Sequence, residues 1–414
     1  MKRVLMIAYH YPPASISSGI QRTLKFSAYL PEEGWEPSVL TVHPRAHEHQ
    51  SPDQIRDIPA SLTVRRAFAL DAARHLSIRG RYPLAFALPD KWSSWWLGGV
   101  WSGLGLIREK KPQVIWSTYP IATSLLIGLT LHRLTGIPWV ADLRDSMTEE
   151  QYPADERVRR VYLWLERKAV KHASKVVFTT PGTLAMYRAR YPAVPSHRWA
   201  VIQNGYDEES FRSASTGAAR RTPGGPAILL HSGILYPSER DPSQFLDAIA
   251  QLKRSGAISA SRLRVILRAT RYDAIFRPEI ERRDIADIVR LEPPVGYEAA
   301  LAEMLSADGL LIFQAANCNH QIPAKVYEYF RARRPVLALT DPMGDTAGEM
   351  RNAGLPAVVP LDDQAKIAET LSSFLASIET GTARVASDEA VQAASRRNRT
   401  VELGRLLDEV AAAR

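Results

Sequence analysis

A lysine and a glutamate stand one turn apart at the start of a predicted helix. Lys325 and Glu328 follow an apolar run, Gly309–Phe313, then a polar loop and Pro323, so the order is strand, loop and helix. In open α/β sheets such loops lie beyond the carboxyl ends of the strands, where the first amides of a helix bind phosphate. A cation directed at a diphosphate and a carboxylate accepting from two ribose hydroxyls would together bind a nucleotide. The alternative is a surface Lys–Glu pair at helical spacing.

This stretch resembles the donor-site segment of the family 4 glycosyltransferases, which have two Rossmann-like domains in the arrangement called GT-B. The pattern Pro-x-Lys-x-x-Glu-Tyr, carried here by Pro323, Lys325, Glu328 and Tyr329, is similar to that of the exopolysaccharide and capsule members. In the family another glutamate stands eight positions earlier, and His320 occupies that place here. The resemblance implies that His320, Lys325 and Glu328 line the site of a nucleotide-sugar donor.

Length, composition and charge exclude several classes of protein. A chain of 414 residues, 45% hydrophobic and 23% charged, is globular and too long for one ordinary core, so two domains of about 200 residues are expected. The one cysteine, Cys318, excludes an internal disulfide and any metal site built from several cysteines, which fits a reducing compartment. A net charge of +9 suits anionic partners, but without a zinc-finger spacing, a P-loop or an RNA-recognition motif we expect no nucleic acid.

The sequence predicts a cytoplasmic protein with a basic, tryptophan-containing region. The apolar run near the start is too short for a signal peptide, and no run approaches the roughly 18 residues of a spanning helix. Residues 65–111 hold nine Lys or Arg against three acidic residues, together with Trp92, Trp95, Trp96 and Trp101. Such a composition is typical of a peripheral surface on an anionic membrane, here the inner face of the plasma membrane. The alternative is that the tryptophans fill the core.

Short apolar runs alternate with helical periodicity along the chain, which predicts two doubly wound α/β domains. Asn204-Gly205-Tyr206-Asp207 resembles the signature that ends the first domain of family 4 enzymes. The predicted domains are 1–208, which would bind the acceptor, and 227–385, which would bind the donor. A Ser-, Gly- and Pro-rich linker is predicted over 209–226. Residues 386–414 resemble the helix that crosses back to the first domain in GT-B enzymes, whose two domains face a cleft.

Two glycine loops resemble the phosphate-binding loops of the family. Gly19 stands where family 4 enzymes let the backbone approach the diphosphate. Gly233 follows the first strand of the second half, and Arg240 occupies the place of a family lysine that contacts the donor phosphates. The family also has an arginine directly after this glycine, where this chain has Ile234, and Lys325 would replace that cation. Arg240 and Lys325 are therefore predicted to offset the charge of the departing diphosphate.

Alternating charges end a strand of the first half. Asp142, Arg144 and Asp145 resemble the Asp-x-Arg-Asp subgroup, in which arginine replaces a histidine that lies near the acceptor. The resemblance implies that Arg144 offsets developing charge and that an aspartate, Asp142 or Asp145, orients the acceptor hydroxyl. The alternative is a buried brace between Arg144 and one of these aspartates. Ser117 and Thr118 resemble the Ser-Thr-x-Pro segment of the same subgroup and are predicted to line the acceptor side.

Together these resemblances imply a transferase that moves a sugar from a nucleotide-sugar donor to a hydroxyl acceptor with retention of anomeric configuration. The acceptor would be a glycan, a lipid-linked sugar or a small molecule, and the pathway surface polysaccharide biosynthesis. The diphosphate itself would act as the base, and neither a metal nor another cofactor is expected. Two alternatives stay open: a sugar-nucleotide 2-epimerase on the same scaffold, which His320 allows, and a non-catalytic nucleotide-sugar-binding protein.

Overall fold

The computed structural model describes residues 1–15, 19–52, 54–77, 79, 81–150, 152–215 and 224–413, without the side chains of 85 and 86. The chain divides into two compact units, which we call unit 1 (Met1–Asn204 with Arg396–Arg414) and unit 2 (Gly205–Ser395). Each unit is a parallel sheet whose buried side chains form one cluster on either face. The predicted fold of two Rossmann-like, doubly wound domains is therefore confirmed.

Unit 1 contains a seven-stranded sheet in the order β3-β2-β1-β4-β5-β6-β7. Successive residues of β1 enter opposite cores, because Leu5 and Ile7 belong to one cluster whereas Val4 and Met6 belong to the other. The strands are β1 (Lys2–Ile7), β2 (Trp35–Val42), β3 (Thr63–Ala67), β4 (Val114–Thr118), β5 (Trp139–Leu143), β6 (Lys175–Phe178) and β7 (Trp199–Val201). The helices are α1 (Gly19–Tyr29), α2 (Ala72–His75), α3 (Trp95–Lys110), α4 (Ala122–Thr135), α5 (Glu156–His172), α6 (Pro181–Arg190) and α15 (Arg396–Ala412).

Unit 2 contains a six-stranded sheet in the order β10-β9-β8-β11-β12-β13. Its strands also alternate between two cores, with Leu229 in one cluster and Leu230 in the other. The strands are β8 (Ala227–Ser232), β9 (Leu263–Arg268), β10 (Val289–Glu292), β11 (Gly309–Phe313), β12 (Val336–Leu339) and β13 (Val358–Val359). The helices are α7 (Glu208–Ser215), α8 (Ser243–Arg254), α9 (Asp273–Arg282), α10 (Tyr297–Ser306), α11 (Lys325–Ala332), α12 (Asp345–Asn352), α13 (Gln364–Glu379) and α14 (Asp388–Ala393).

Both sheets reverse their strand order at the first strand of the unit. In unit 1, β1 pairs in parallel with β2 on one side and β4 on the other. In unit 2, β8 pairs with β9 and β11 in the same way. At such a switch point the loops leave the neighbouring strands in opposite directions and open a crevice at the carboxyl ends. The loops after β1, β4, β8 and β11 are therefore the ones placed to bind ligands.

Three local features differ from the sequence-based expectations. The predicted linker begins with the helix α7, which packs Phe211 and Ala214 into the core of unit 2, and 216–223 lie outside the described residues. The predicted C-terminal helix is divided at Ser395, so that α14 stays in unit 2 whereas α15 packs against α1 in unit 1. Finally, helical periodicity predicts a helix over 278–287 that begins at Pro278, whereas α9 begins at Asp273 and contains this proline.

The tryptophan-containing region 65–111 is part core and part surface. Trp95 is completely buried, and the Trp92 ring lies 4.4 Å from that of Tyr9. On the outer side of α3, by contrast, Trp96 is 37% exposed and Trp101 is 83% exposed. Trp92 and Trp95 therefore pack in the core, as the alternative interpretation predicted, whereas Trp96 and Trp101 lie at the surface. None of the described helices has the length and apolar character needed to cross a membrane.

Candidate functional site

The segments that carry the predicted donor residues are joined by hydrogen bonds in unit 2. The amide of Ala315, just after β11, donates to the carbonyl of Glu239 in the loop after β8 over 2.7 Å. The amide of Ser232, at the end of β8, donates to the hydroxyl of Tyr329 on α11 over 3.1 Å. These bonds hold the end of β8, its following loop and the start of α11 around the same switch point.

Gly233 leaves its backbone open at this switch point. Its φ is +149°, in a region that residues with a side chain rarely adopt, and its amide donates to the carbonyl of Arg268 over 2.9 Å. Beyond its chain neighbours, a Cβ at this position would have a single atom within 4 Å, Nε2 of His231 at 3.9 Å. A ligand diphosphate needs this kind of access to approach the backbone.

The Arg240 guanidinium is held against its own loop. Its Nη1 donates to the carbonyl of Ile234 over 3.2 Å, and its Cζ lies 5.6 Å from the centre of the Tyr236 ring. The side chain is half-buried, and no carboxylate in the described parts of the chain forms an ion pair with it. Arg240 is therefore a fixed cation with most of its N–H donors available.

Lys325 and Glu328 form an ion pair in the first turn of α11. Lys325 Nζ lies 3.0 Å from Glu328 Oε2, and the Tyr297 hydroxyl donates to Oε1 over 2.9 Å. The Glu328 side chain is only 12% exposed, so this pair is partly buried and differs from the solvated surface pair that was the alternative. A lysine in the first turn of a helix is electrostatically unfavourable because the helix dipole is positive there. An anion at this place would remove that penalty.

His320 lies in the loop that leads to α11 and is half-buried. Gln314 fixes this loop, since its Nε2 donates to the carbonyls of Cys318 over 2.7 Å and Gln321 over 3.0 Å. The histidine thus stands on a well-supported segment next to Lys325 and Glu328 in the chain. Its role at the donor sugar, in place of the family's glutamate, stays a prediction.

His231, at the end of β8, is a candidate site residue that the sequence analysis did not single out. It is buried, its Nδ1 lies 2.9 Å from the carbonyl oxygen of Leu311, and its ring packs edge-on against Phe313. Desolvation lowers its pKa to about 4, and the positive charges of Arg240 and Lys325 act in the same direction. The ring is therefore neutral at physiological pH. Nε2 is buried and has no hydrogen-bond partner within the described structure.

In unit 1, the carboxylate of Asp142 is fully buried and fully engaged. Arg22 of α1 donates to both oxygens, Nε to Oδ2 over 3.0 Å and Nη2 to Oδ1 over 2.7 Å. The Thr118 hydroxyl donates to Oδ2 over 2.8 Å. The proposed brace between Asp142 and Arg144 is therefore wrong, because Arg22 is the partner. The structure also contradicts a direct contact of Asp142 with an acceptor, since neither oxygen is accessible.

Arg144 and Gly19 are brought together in unit 1. Arg144 Nε donates to the carbonyl of Tyr119 over 2.6 Å, and a Cβ added at Gly19 would overlap both Nη atoms. The guanidinium thus lies directly on the first residue of α1. Desolvation lowers the pKa of Arg144, whereas Asp145 and Asp142 oppose this shift, and an arginine of this kind remains charged at neutral pH.

The three predicted acceptor-side residues lie in different environments. Ser117 is fully buried, its Oγ accepts from Trp139 Nε1 over 2.8 Å, and a Cβ at Gly128 of α4 would lie 2.6 Å from it. The prediction for Ser117 is wrong, because this side chain points into the core beneath α4. Thr118 is 6% exposed, and its hydroxyl donates to the carboxylate of Asp142. Asp145 is exposed, desolvation by the surrounding protein nevertheless raises the pKa of its carboxyl, and its contact with an acceptor stays a prediction.

The first half of the chain matches a family model. Residues 19–205 match the glycosyl transferase 4-like domain. The D-inositol 3-phosphate glycosyltransferase of Streptomyces scabiei is 28% identical over 219 residues, which are 50% of this chain and 48% of that protein. The chain therefore spans about half the length of this curated relative.

Solved structures resemble the chain over its whole length. Sucrose-phosphate synthase from Thermosynechococcus elongatus has a TM-score of 0.69 at 17% identity, and HepE of Anabaena, solved in complex with UDP and glucose, has 0.66 at 14%. In each case 100% of both chains is covered. Residues 19–205 thus resemble a glycosyl transferase 4-like domain, and the two units have the fold of the GT-B glycosyltransferases.

Proposed function

We propose that the protein is a glycosyltransferase that moves a sugar from a nucleotide-sugar donor to a hydroxyl acceptor. The observation that carries the proposal is the Arg240 guanidinium, which is fixed beside the open backbone of Gly233 and has no ion pair in the described chain. Guanidinium groups bind phosphate through two parallel hydrogen bonds, so a donor diphosphate is the ligand that this arrangement fits. HepE, which shares the fold, was solved with UDP and glucose.

Unit 2 supplies the groups that such a donor requires. Arg240, Lys325 and the first amides of α11 would offset the charge of the diphosphate. Glu328, a partly buried carboxylate with two acceptor oxygens, would receive the ribose hydroxyls, with the Tyr297 hydroxyl holding its orientation. His320 would face the donor sugar. These roles use residues from three segments that the hydrogen bonds around β8 already hold together.

We infer that the transfer proceeds with retention and without a metal. In this step the bond from the sugar C1 to the diphosphate oxygen breaks, the acceptor oxygen bonds to C1 on the same face, and its proton passes to the diphosphate. Asp142 has both oxygens engaged, so it is unsuited as a base, whereas Arg144 can stabilise negative charge and Asp145 can orient the acceptor hydroxyl. We expect turnover to be unchanged in EDTA and proton NMR to find the donor's anomeric configuration in the product.

We further propose that the acceptor is a lipid-linked glycan of surface polysaccharide biosynthesis, reached at the cytoplasmic face of a membrane. The support is one face of α3, where Leu97 is 67% and Trp101 is 83% exposed, with the exposed Arg108 at the same angular position. Exposed apolar rings beside cations suit an anionic bilayer.

Flotation with anionic liposomes tests this membrane surface. We expect binding at low salt that is lost as salt screens the charges, and weaker binding by Trp101→Ala. Trp164→Ala is the matched control, since Trp164 is a 46% exposed tryptophan on α5. Equal flotation of both variants, or no flotation at any salt concentration, would refute the membrane proposal.

A panel of UDP-, GDP- and dTDP-sugars tests the proposed activity. Bound donor should raise the melting temperature, and product should form when a hydroxyl acceptor is supplied. Glu328→Gln should lower donor affinity by about 1.5–3 kcal/mol, because an amide replaces a carboxylate that accepts two hydrogen bonds. Sugar isomerisation without acceptor would indicate the 2-epimerase instead, and tight donor binding without turnover would indicate a non-catalytic binding protein.

A further inference from the structure

One buried nitrogen of unit 2 has no part in the proposed donor contacts. His231 is the last residue but one of β8, and its Nε2 is buried without a hydrogen-bond partner in the described chain. Buried acceptors of native structures usually have a hydrogen-bond partner, and a bound ligand can supply one.

The protonation state of His231 follows from its neighbour on β11. Nδ1 lies 2.9 Å from the Leu311 carbonyl oxygen, which can only accept, so Nδ1 carries the proton. A neutral ring then has a lone pair and no hydrogen at Nε2. The low pKa of His231, caused mainly by desolvation, agrees with a ring that stays neutral.

Nε2 lies beside Gly233, whose backbone is where the donor diphosphate is expected to bind. It is 3.9 Å from the position of a Cβ on Gly233, and no other atom beyond the neighbouring residues lies within 4 Å of that point. The cations Arg240 and Lys325 are close enough that their charges depress the pKa of the ring. The nitrogen therefore lies at the open backbone and next to the two cations.

The chemistry of an unprotonated nitrogen selects its ligand. Phosphate oxygens also offer lone pairs, so they would be repelled by Nε2 and would bind the two cations. A group that donates a hydrogen bond next to the diphosphate is a hydroxyl, which nucleotide sugars carry on the ribose and on the sugar ring. We propose that His231 Nε2 accepts a hydrogen bond from a hydroxyl of the bound nucleotide sugar and thereby selects a hydroxylated donor. This inference rests on the proposed function.

Two substitutions separate this role from a structural one. His231→Asn places an amide nitrogen near the position of Nδ1, so the bond to Leu311 can persist while the acceptor at Nε2 is lost. His231→Gln reaches the position of Nε2 with its amide and can restore an acceptor there, but it loses the link to Leu311. A purely structural histidine predicts wild-type binding for the Asn variant and impaired folding for the Gln variant.

Titration calorimetry with UDP-glucose and with UDP, or with the best sugar nucleotide of the panel and its nucleoside diphosphate, is the test. We expect His231→Asn to bind the sugar nucleotide about 10-fold more weakly with an unchanged melting temperature, and His231→Gln to bind more tightly than the Asn variant. A loss with UDP-glucose alone assigns the hydroxyl to the sugar, and a loss with both ligands assigns it to the ribose. His132→Asn is the matched control, because His132 makes the same kind of Nδ1 contact with a carbonyl, that of Ile137, over 2.8 Å.

The outcomes distinguish the two proposals. If wild type binds the donor and Glu328→Gln weakens it while His231→Asn binds like wild type, the role of His231 is refuted and the proposed function stands. If wild type binds no nucleotide sugar of the panel, the proposed function fails and the inference about His231 fails with it.

Discussion

Polar clusters of opposite character lie at the carboxyl ends of the two sheets, one at β5 of unit 1 and the other at β8 of unit 2. At the carboxyl ends of unit 1, the Asp142 carboxylate receives three hydrogen bonds from Arg22 and Thr118 and is closed to solvent. At the switch point of unit 2, Arg240 has no ion pair among the described residues and His231 Nε2 has no partner. A buried polar cluster whose hydrogen bonds are all made stabilises the fold. A cluster with unused donors or acceptors can gain free energy when a ligand forms hydrogen bonds with them. We therefore expect Asp142 to contribute to stability, and we propose that Arg240 binds a ligand.

The largest effect is expected when the partner of Asp142 is removed. Arg22→Met leaves a buried carboxylate without its cation, which should destabilise unit 1 by about 3–5 kcal/mol. Urea unfolding measures this change. A loss below about 1 kcal/mol would mean that the pair is not the brace described here, and Arg262→Met, which removes an exposed arginine paired with Glu379, is the control that should change little.

Arg144 also lies close to Asp142 in unit 1, but Arg22 and not Arg144 is the partner of that carboxylate. If Arg144 stabilises charge that develops in the reaction, Arg144→Met should lower kcat by about 10²-fold with little loss of stability, and Arg144→Lys should keep part of the activity. Turnover per folded molecule and the melting curve are measured together. Normal turnover in the folded fraction, with a lowered melting temperature, would assign Arg144 to structure.

A third prediction concerns pH and the neutral His231. Its pKa of about 4 is below the ordinary 6.5. Between pH 6.5 and pH 4 the unfolded chain therefore binds a proton at this histidine and the native state does not, so the free energy of unfolding decreases as the pH falls. This contribution to stability is complete above pH 6.5 and should decrease by about 2 kcal/mol between pH 7 and pH 5, at about 1.4 kcal/mol per unit. His231→Asn should lose less stability than wild type over this range. Parallel curves for the two proteins would contradict a depressed pKa.

What the sequence predicts well here is local. The alternation of apolar runs and helical periodicity indicated both doubly wound units, because each element carries its own pattern. Lys325 was predicted from its place in the first turn of a helix that follows a strand, and Arg240 from the resemblance of its loop to the family's phosphate-binding loop; the roles of both residues stay predictions. In each case the residues that form the pattern are close together in the sequence.

What the sequence did not predict depends on distant partners. Arg22 and Asp142 are 120 positions apart, and His231 takes its tautomer from Leu311, which is 80 positions away. Ser117 could not be placed because β4 is buried on both faces, so no alternation of polar and apolar residues marks which side chain reaches the crevice.

We propose that Arg240, which has no ion pair among the described residues, binds the donor diphosphate, and Arg240→Met is the substitution that tests this proposal. Because the described contacts of the Arg240 side chain are one hydrogen bond and one ring contact, its removal should lower the melting temperature only slightly, while the affinity for the best nucleotide sugar should fall about tenfold or more, the scale of a charged hydrogen bond. Calorimetric titration of wild type, Arg240→Met and the control Arg262→Met gives the comparison. We expect donor affinity to fall for Arg240→Met alone, and equal donor affinity in all three proteins would contradict the proposed role of Arg240.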